Sequence, residues 1–276
     1  MEQIKNQIRQ IEESVKDMIT PDVLSACLGF IDLTSLNSTD TSSKIISMTQ
    51  KVNSFPLSFG NYPQVAAICV YPNFAEVVKE TLTDKRVKIA VVAGVFPSSQ
   101  SFAEIKSAEC KLAAQKGADE IDIVLSLNHF LADNSAEASR EISLMKEAAG
   151  DAHLKVILES GILNDPALIY KASLLSMEAG ADFIKTSTGK SEPAATPEAA
   201  VVMCTAIRDY YEKTGKKVGF KPAGGIIEPE DAVKYYAIVR TILGVEWLNS
   251  NYFRIGASRL ANNLLSALEK KNVNYF

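Results

Sequence analysis

Eight short β-prone runs recur along the chain. They lie at residues 29–33 (GFIDL), 65–71 (VAAICVY), 87–94 (VKIAVVAG), 120–126 (EIDIVLS), 154–159 (LKVILE), 181–186 (ADFIKT), 217–222 (KVGFKP) and 252–257 (YFRIGA). Between them, apolar residues return every three to four positions, the helical period. Residues 101–116 put Phe102, Ile105, Cys110, Leu112 and Ala113 on one inner face, and residues 134–149 and 165–179 follow the same rule, the last ending at Gly180. Thr196-Pro197-Glu198 opens another helix, with threonine as cap and proline in the first turn. Glu228-Pro229-Glu230-Asp231 places acidic residues in a first turn, where the helix dipole favours them. Ahead of the first strand, Ile4, Ile8, Ile11, Val15, Met18 and Ile19 keep helical spacing, and Thr20-Pro21-Asp22 marks a second helix start.

Strands and helices alternating in this way predict a parallel α/β architecture. The leading solution is a (β/α)8 TIM barrel, with a doubly wound open sheet as the alternative. No Pro/Gly/Ser-rich linker divides the chain. The expectation is a single domain, 1–276, made of an N-terminal helical extension (1–28), the barrel (29–262) and a C-terminal tail (263–276). The extension covers either the barrel bottom or a subunit interface, so a homodimer stays open. Strand side chains alternate between faces. In the fourth run Ile121 and Ile123 therefore share one face while Glu120, Asp122 and Val124 share the other. In the seventh, Val218 and Phe220 alternate with Lys217, Gly219 and Lys221. Polar residues facing the centre of a barrel, at the carboxyl ends of its strands, sit where such enzymes place their chemistry. Those residues are Asp32, Cys69, Asp122, Glu159, Lys185, Lys221 and Ser258.

Composition narrows the function. The 276 residues are 47% hydrophobic and 22% charged, enough for a substantial core. A net charge of −4 without a basic run argues against a nucleic-acid surface, while leaving room for a local phosphate pocket. The N-terminal stretch MEQIKNQIRQIEESVKDM has no apolar signal-peptide core, and no run approaches the ~20 apolar residues that span a bilayer. Four cysteines, Cys27, Cys69, Cys110 and Cys204, form no CxxC pair, which predicts reduced thiols in a cytoplasmic protein. His129 and His153 are the only histidines, too few for a histidine-rich metal site; an oxygen-ligand magnesium site stays open.

Lys185 stands out, because a lysine inside an apolar strand is costly to bury as a cation. Either it reaches out to solvent or a cavity holds it for chemistry. In a barrel, Lys221 lies on the neighbouring strand. Two ammonium groups roughly 6 Å apart, at an effective dielectric of about 20, repel by about 3 kcal/mol, enough to push one toward its neutral form. Partial burial acts in the same direction. Only a neutral amine attacks a carbonyl, as Schiff-base chemistry requires. Asp122 offsets part of the repulsion and can carry protons, or it serves only as an ion-pair partner. Cys69 reads as a packed small hydrophobe or a nucleophile, and Asp32 as a turn or cap residue or a site residue. Gly189-Lys190, Ala223-Gly224-Gly225 and Gly256-Ala257-Ser258 follow the last three strands, where barrels often bind phosphate.

At these residues the sequence resembles deoxyribose-phosphate aldolase. The similarity covers roughly residues 28–260 and includes Asp32-Leu33-Thr34, Ala66 to Pro72 (AAICVYP), Gly117 to Asp122 (GADEID), Phe183 to Lys190 (FIKTSTGK) and Gly219 to Gly225 (GFKPAGG). The resemblance implies a class I aldolase, a lyase of deoxyribonucleotide catabolism with a (β/α)8 barrel. Such an enzyme reversibly cleaves 2-deoxy-D-ribose 5-phosphate to D-glyceraldehyde 3-phosphate and acetaldehyde, without metal or organic cofactor. It implies Lys185 as Schiff-base lysine, Lys221 as the lysine that tunes it and Asp122 as proton-relay carboxylate. Asp32, Cys69 and Thr188 would contact substrate; Gly189, Lys190, Gly224, Gly225, Gly256 and Ser258 would hold the phosphate. The partners implied are small molecules, a sugar phosphate and acetaldehyde, with no nucleic acid and no membrane. Three departures are visible. Ile227 stands where many relatives carry a basic residue. Ser258-Arg259 replaces a pair of serines, so Arg259 is a candidate to restore the missing charge. Tyr275, next to the last residue Phe276, either assists proton transfer, as a terminal tyrosine does in some relatives, or belongs to an unordered tail. Two other functions remain beside the leading one: a Schiff-base aldolase for a non-phosphorylated or different aldehyde or keto-sugar, and a non-catalytic sugar-phosphate sensor.

Overall fold

The structure, a computed structural model, describes residues 2–276. The chain opens with helices α1 (Glu2–Met18) and α2 (Pro21–Gly29). It continues through β1 (Ile31–Thr34), α3 (Ser42–Phe59), β2 (Ala67–Val70), α4 (Ala75–Thr81), β3 (Lys88–Val92), α5 (Ala103–Gln115), β4 (Glu120–Val124), α6 (Leu127–Leu131) and α7 (Ser135–Ala149). The second half runs β5 (His153–Ile157), α8 (Ser160–Leu163), α9 (Pro166–Glu178), β6 (Phe183–Lys185), α10 (Pro197–Thr214), β7 (Gly219–Lys221), α11 (Pro229–Ile242), β8 (Ile255–Ala257) and α12 (Leu260–Glu269). Helix starts follow the predicted chemistry. Thr196 Oγ1 accepts from Ala199 N at 3.1 Å ahead of Pro197, and Glu228 and Asp231 form a capping box on α11.

The strands pair in parallel in the order β7-β6-β5-β4-β3-β2-β1-β8. Bridges Phe220↔Phe253 and Ala223↔Gly256 join the first strand of that order to the last. The sheet thus closes into a (β/α)8 barrel. Outward residues such as Ile121, Ile123, Leu154, Val156, Ile184 and Phe220 are fully buried in the shell beneath the helices. The inward face is apolar on β2 and β3, where Ala67, Cys69, Ala90 and Val92 cluster, and charged on β1 and β4 to β7, where the register sets Asp122 level with Lys155 and Lys185 level with Lys221. Among the described residues no helix is long and apolar enough to cross a membrane.

Four features differ from the sequence pattern. Most strand ends fall one to three residues inside the predicted runs, while β1 runs one residue past its run to Thr34 and β5 begins one residue early at His153; the eighth is Ile255–Ala257 rather than 252–257. Helices α3 and α4 occupy intervals that the sequence pattern reads as helix-like without bounds. Helix α5 keeps Cys110 and Ala113 of its expected inner face but shifts that face toward Lys106: Lys106, Cys110 and Ala113 are buried, while Phe102 is 76% exposed and Ile105 and Leu112 are each 54% exposed. The reason is electrostatic, since Lys106 turns inward to meet Glu141 of α7 at 2.6 Å. Lastly, residues 263–269 are not tail but the body of α12. In the N-terminal extension, α1 packs along α10 and α11, and α2 against α11 and α12.

Candidate active site

Seven charged side chains fill the barrel interior. Lys155 (β5), Lys185 (β6), Lys221 (β7) and Arg254 (just before β8) face Asp32 (β1), Glu120 and Asp122 (both β4), and all seven are buried. Asp122 Oδ2 accepts from Lys185 Nζ at 2.8 Å and from Lys221 Nζ at 2.7 Å, and its Oδ1 accepts from Lys155 Nζ at 3.0 Å. Asp32 meets Lys221 at 2.5 Å and Arg254 at 2.7 Å. Glu120 takes Lys155 at 2.6 Å and Arg254 Nη2 at 2.7 Å. Four cations against three carboxylates leave an excess of one positive charge in a buried interior.

That excess falls on Lys185. Burial lowers its pKa, Asp122 opposes the shift, and the Lys221 ammonium lowers it further. Burial, rather than the neighbouring lysine, is the first cause, which reverses the order expected from sequence. Lys221 goes the other way. Burial alone would depress it, but Asp122 and Asp32 outweigh burial and raise it. Asp122 is likewise penalised by burial, yet Lys155, Lys185 and Lys221 hold its carboxyl well below the usual carboxylate range. The interior therefore contains one lysine driven toward neutrality, one locked as a cation and one carboxylate locked as an anion, in mutual contact.

Lys185 closes the inner end of a cavity of about 240 Å³. Thr34, Leu36, Asn37, Thr188, Gly189, Lys190, Ala223, Gly224, Gly225, Ile226, Ile227, Gly256, Ala257, Ser258 and Arg259 line the rest. The loop after β6 is pinned from beneath: Glu159 accepts from Thr188 N at 3.0 Å and from Thr188 Oγ1 at 2.5 Å, and Thr188 Oγ1 accepts from Lys190 N at 3.0 Å. Lys190 Nζ donates to the Leu36 carbonyl across the mouth. Gly224 has φ +85°, and a Cβ there would lie 2.6 Å from Ala194 Cβ; only glycine suits it. Gly256 leaves space of another kind, since a Cβ would come within 2.8 Å of Ala223 Cβ and 3.1 Å of Lys221 Cε. Helix α12 begins at this mouth with Arg259 at its cap and no side-chain cap bond.

Of the sequence-predicted residues, Lys185, Thr188, Gly189, Lys190, Gly224, Gly225, Gly256, Ser258 and Arg259 line one cavity, and Lys221 and Asp122 lie directly beneath it. Asp32 lies deeper, enclosed by Lys221, Lys155 and Arg254 rather than on the cavity wall. Cys69 packs with Leu36, Ala67, Ala90 and Val92, and burial pushes its thiol pKa up, which suits a small hydrophobe and not a nucleophile. Tyr275 is not brought to the cavity. Its hydroxyl donates to the Lys51 carbonyl at 2.8 Å, and its ring meets Phe55 and Phe59 of α3, so the tail is docked on the outer helices, not unordered. The aromatic rings of Tyr275 and Phe276, together with the two amides that Asn262 Oδ1 accepts, hold it there.

Lys155, Glu120 and Arg254 were not assigned to the site from sequence. Their signal was the strand alternation itself. Lys155 falls between Leu154 and Val156, and Arg254 between Phe253 and Ile255, so each must face inward once its neighbours face out. Away from the cavity, His129, Glu137 and Glu141 gather possible metal-ligand atoms within 4.8 Å of one another. Glu141 is already engaged by Lys106, and Glu137 by Arg140.

A barrel that holds a buried lysine pair and a carboxylate under a glycine-walled cavity suits the chemistry of an aldolase. Residues 27–238 match the DeoC/LacD family of aldolases, and the chain belongs to that family. A curated Caenorhabditis elegans protein named "Putative deoxyribose-phosphate aldolase" is 43% identical over 272 residues, which covers 97% of this chain and 88% of that one. A solved structure named as a putative deoxyribose-phosphate aldolase from Coccidioides immitis is 26% identical, with a TM-score of 0.73 and 96% of each chain covered. Deoxyribose phosphate aldolase from Aeropyrum pernix shares the fold at 24% identity and a TM-score of 0.70, covering 94% of this chain and 97% of that one.

Proposed function

We propose that this aldolase reversibly cleaves 2-deoxy-D-ribose 5-phosphate to D-glyceraldehyde 3-phosphate and acetaldehyde, with Lys185 as the Schiff-base lysine. The observation that carries the reading is the contact of Lys185 and Lys221 with one oxygen of Asp122 at the floor of the cavity. Buried and depressed, Lys185 supplies the neutral amine. It adds to the aldehyde carbon of the open-chain sugar, and a proton passes from nitrogen to oxygen to give the carbinolamine. Loss of water leaves a protonated imine. Removal of the C3 hydroxyl proton then breaks the C2–C3 bond, its electron pair flowing toward the imine. D-Glyceraldehyde 3-phosphate leaves, and an enamine remains on Lys185. Protonation of the enamine carbon and hydrolysis of the imine release acetaldehyde and restore the amine.

In this scheme Asp122 enters as an ionised carboxylate and carries protons, directly or through one water. Lys221 stays cationic and stabilises negative charge as it develops on oxygen. At the other end of the cavity, Lys190 and Arg259, the amides of the Gly189 and Gly224-Gly225 loops, and the start of α12 suit a phosphate. Four buried free thiols support a reducing, cytoplasmic setting.

A second reading rests on Ile227, an apolar residue on the cavity wall at a position where a cation would serve a phosphate. It keeps the Schiff base and takes a non-phosphorylated aldehyde. Comparing kcat/KM on 2-deoxyribose with and without its 5-phosphate tests the proposal. A strong preference for the phosphate ester is expected, and equal rates would favour the second reading.

A further inference from the structure

Arg254 and Glu120 are buried charges that the proposed chemistry does not use. Arg254 Nη1 donates to Asp32 Oδ1 at 2.7 Å and to Glu120 Oε2 at 3.0 Å, Nη2 donates to Glu120 Oε1 at 2.7 Å, and Nε donates to the Ser250 carbonyl. The rigid guanidinium fork is thereby held on several sides. Its backbone lies on the seam that closes the barrel, where Arg254 N donates to the Phe220 carbonyl at 3.1 Å. From that seam a row of contacts leads to Lys185: Arg254 to Asp32 at 2.7 Å, Asp32 to Lys221 at 2.5 Å, Lys221 to Asp122 at 2.7 Å and Asp122 to Lys185 at 2.8 Å.

The carboxylates are shared unequally among the four cations. Arg254 touches Asp32 and Glu120, Lys221 touches Asp32 and Asp122, and Lys155 touches Glu120 and Asp122 with Asp32 at 3.5 Å. Among the described residues Lys185 pairs with one carboxylate, Asp122, and shares it with both other lysines. With Lys185 charged, four cations stand on three carboxylates; with Lys185 neutral, three stand on three. The neutral amine is therefore the balanced state of the interior. Arg254 and Glu120 enter that balance from beneath, without an ion pair to Lys185 or Asp122 among the described residues. Other groups surround the row. The Cys69 thiol of β2 acts on Lys185, Lys190 and Arg259 line the cavity above it, Glu159 holds Thr188, and Lys88, Asp119, Asp151 and His153 share a cavity with Glu120 at the barrel bottom.

We propose that Arg254 and Glu120 are positioning residues of opposite sign for the reaction, acting on Lys185 through Asp32, Lys221, Lys155 and Asp122: Arg254 favours the amine and Glu120 favours the ammonium. This role rests on the Schiff-base reading above. Salt screens buried charges far less than exposed ones, so a charge several contacts away still acts on the amine. Losing Arg254 leaves three carboxylates on two fixed cations, and a proton on Lys185 restores the balance. Losing the charge of Glu120 leaves two carboxylates under four cations, and Lys185, with the fewest carboxylate partners, gives up its proton first.

The test records pH profiles of kcat/KM for cleavage of 2-deoxy-D-ribose 5-phosphate by the full-length enzyme, with borohydride trapping of acetaldehyde in each form. Wild type is compared with Arg254→Met, Glu120→Gln and the double variant. In Arg254→Met the rising limb is expected about one pH unit higher, the scale of a unit charge on the order of 10 Å away at an effective dielectric of about 20. In Glu120→Gln it is expected lower by a similar amount. The double variant loses one charge of each sign, and its limb returns toward the wild-type position. A merely structural role lowers Tm or kcat in both single variants and leaves the limb in place; that result, or limbs displaced in the same direction, overturns the assignment. Should Arg254→Met not fold, Arg254→Lys keeps the cation and is expected to keep the wild-type limb, while Glu120→Gln still shifts downward; an unmoved limb in Glu120→Gln overturns the proposal. Trapping that works in every variant while all limbs coincide sinks this inference alone. Trapping absent from the wild type removes the reading beneath it.

Discussion

Lys185 and Lys221 occupy level positions on adjacent strands and donate to the same oxygen of Asp122, at 2.8 and 2.7 Å. Their pKa values move apart although they share that partner. Burial depresses Lys185, whereas Lys221, which also holds Asp32 at 2.5 Å, is raised. A second carboxylate is the difference. It favours the cation on Lys221 and leaves Lys185 the more easily deprotonated of the two, a separation between neighbouring titratable groups that enzymes use repeatedly.

The pH profile follows from this division. In the proposed mechanism the reacting form is neutral Lys185, so kcat/KM is expected to rise as pH climbs through its lowered pKa. Lys221→Met removes the cation that helps to depress Lys185 and leaves Asp122 more fully to it. The rising limb should move to higher pH, with a lower plateau. A pH–rate profile of the variant that keeps the wild-type limb would refute electrostatic tuning.

Arg254 holds the lower part of the network, bonding Asp32 and Glu120 at 2.7 Å each. Arg254→Met leaves two buried carboxylates short of a partner, at a cost of about 3–5 kcal/mol for a broken buried pair. Both are held in the ionised form by their cations against the effect of burial. The stability they contribute is therefore present above the ordinary carboxylate pKa and is lost as pH falls below it toward the lowered folded values. Denaturation by urea should show a lower midpoint with an unchanged m-value at neutral pH, and a smaller gap from wild type in acid. Equal midpoints at neutral pH would show that the network does not hold the barrel together.

Arg259 is the cation nearest in sequence to the start of α12 and lines the same cavity as apolar Ile227. Arg259→Ala should raise KM for 2-deoxyribose 5-phosphate roughly tenfold, the scale of one charge-assisted hydrogen bond, with little change in kcat. The unphosphorylated sugar should be unaffected. Steady-state kinetics on both substrates check this, and an unchanged KM for the ester contradicts it.

Gly256 gives Lys221 its room. In Gly256→Ala the new methyl group would sit 3.1 Å from Lys221 Cε and 2.8 Å from Ala223 Cβ. Displacement of Lys221 on the scale of an ångström is expected to lower kcat by as much as about a hundredfold. The far-ultraviolet spectrum should remain that of the folded barrel. A variant with wild-type kcat would show that Lys221 tolerates the shift.

Much of this was readable from the chain. The eight runs and their spacing predicted the barrel, and the alternation within EIDIV and VGFKP put Asp122 and Lys221 on the inner face. Register was the missing quantity. Which charges meet depends on how one strand slides past the next, and nothing local to Lys155 or Arg254 says that the first lies level with Asp122 or that the second reaches across to Asp32. The order of causes behind the Lys185 shift was misjudged because a tally of charges carries no depth: how completely the closed barrel buries Lys185 is set by the whole fold. Helix α5 failed differently. Its apolar stripe at Phe102, Ile105 and Leu112 is regular enough to pass for an inner face, but an ion pair between Lys106 and Glu141, far apart in sequence, sets the rotation of the helix. At the carboxyl end, packing of Tyr275 against Phe55 and Phe59 joins elements more than 200 residues apart, beyond the reach of any periodicity.

The central claim is that Lys185 forms the covalent intermediate. Incubation with acetaldehyde and borohydride, followed by peptide mapping, measures this directly. The account predicts a reduced two-carbon adduct on Lys185, in the peptide that carries Phe183 to Lys190, and its loss in Lys185→Met. An adduct on Lys221, or trapping that persists without Lys185, would contradict it.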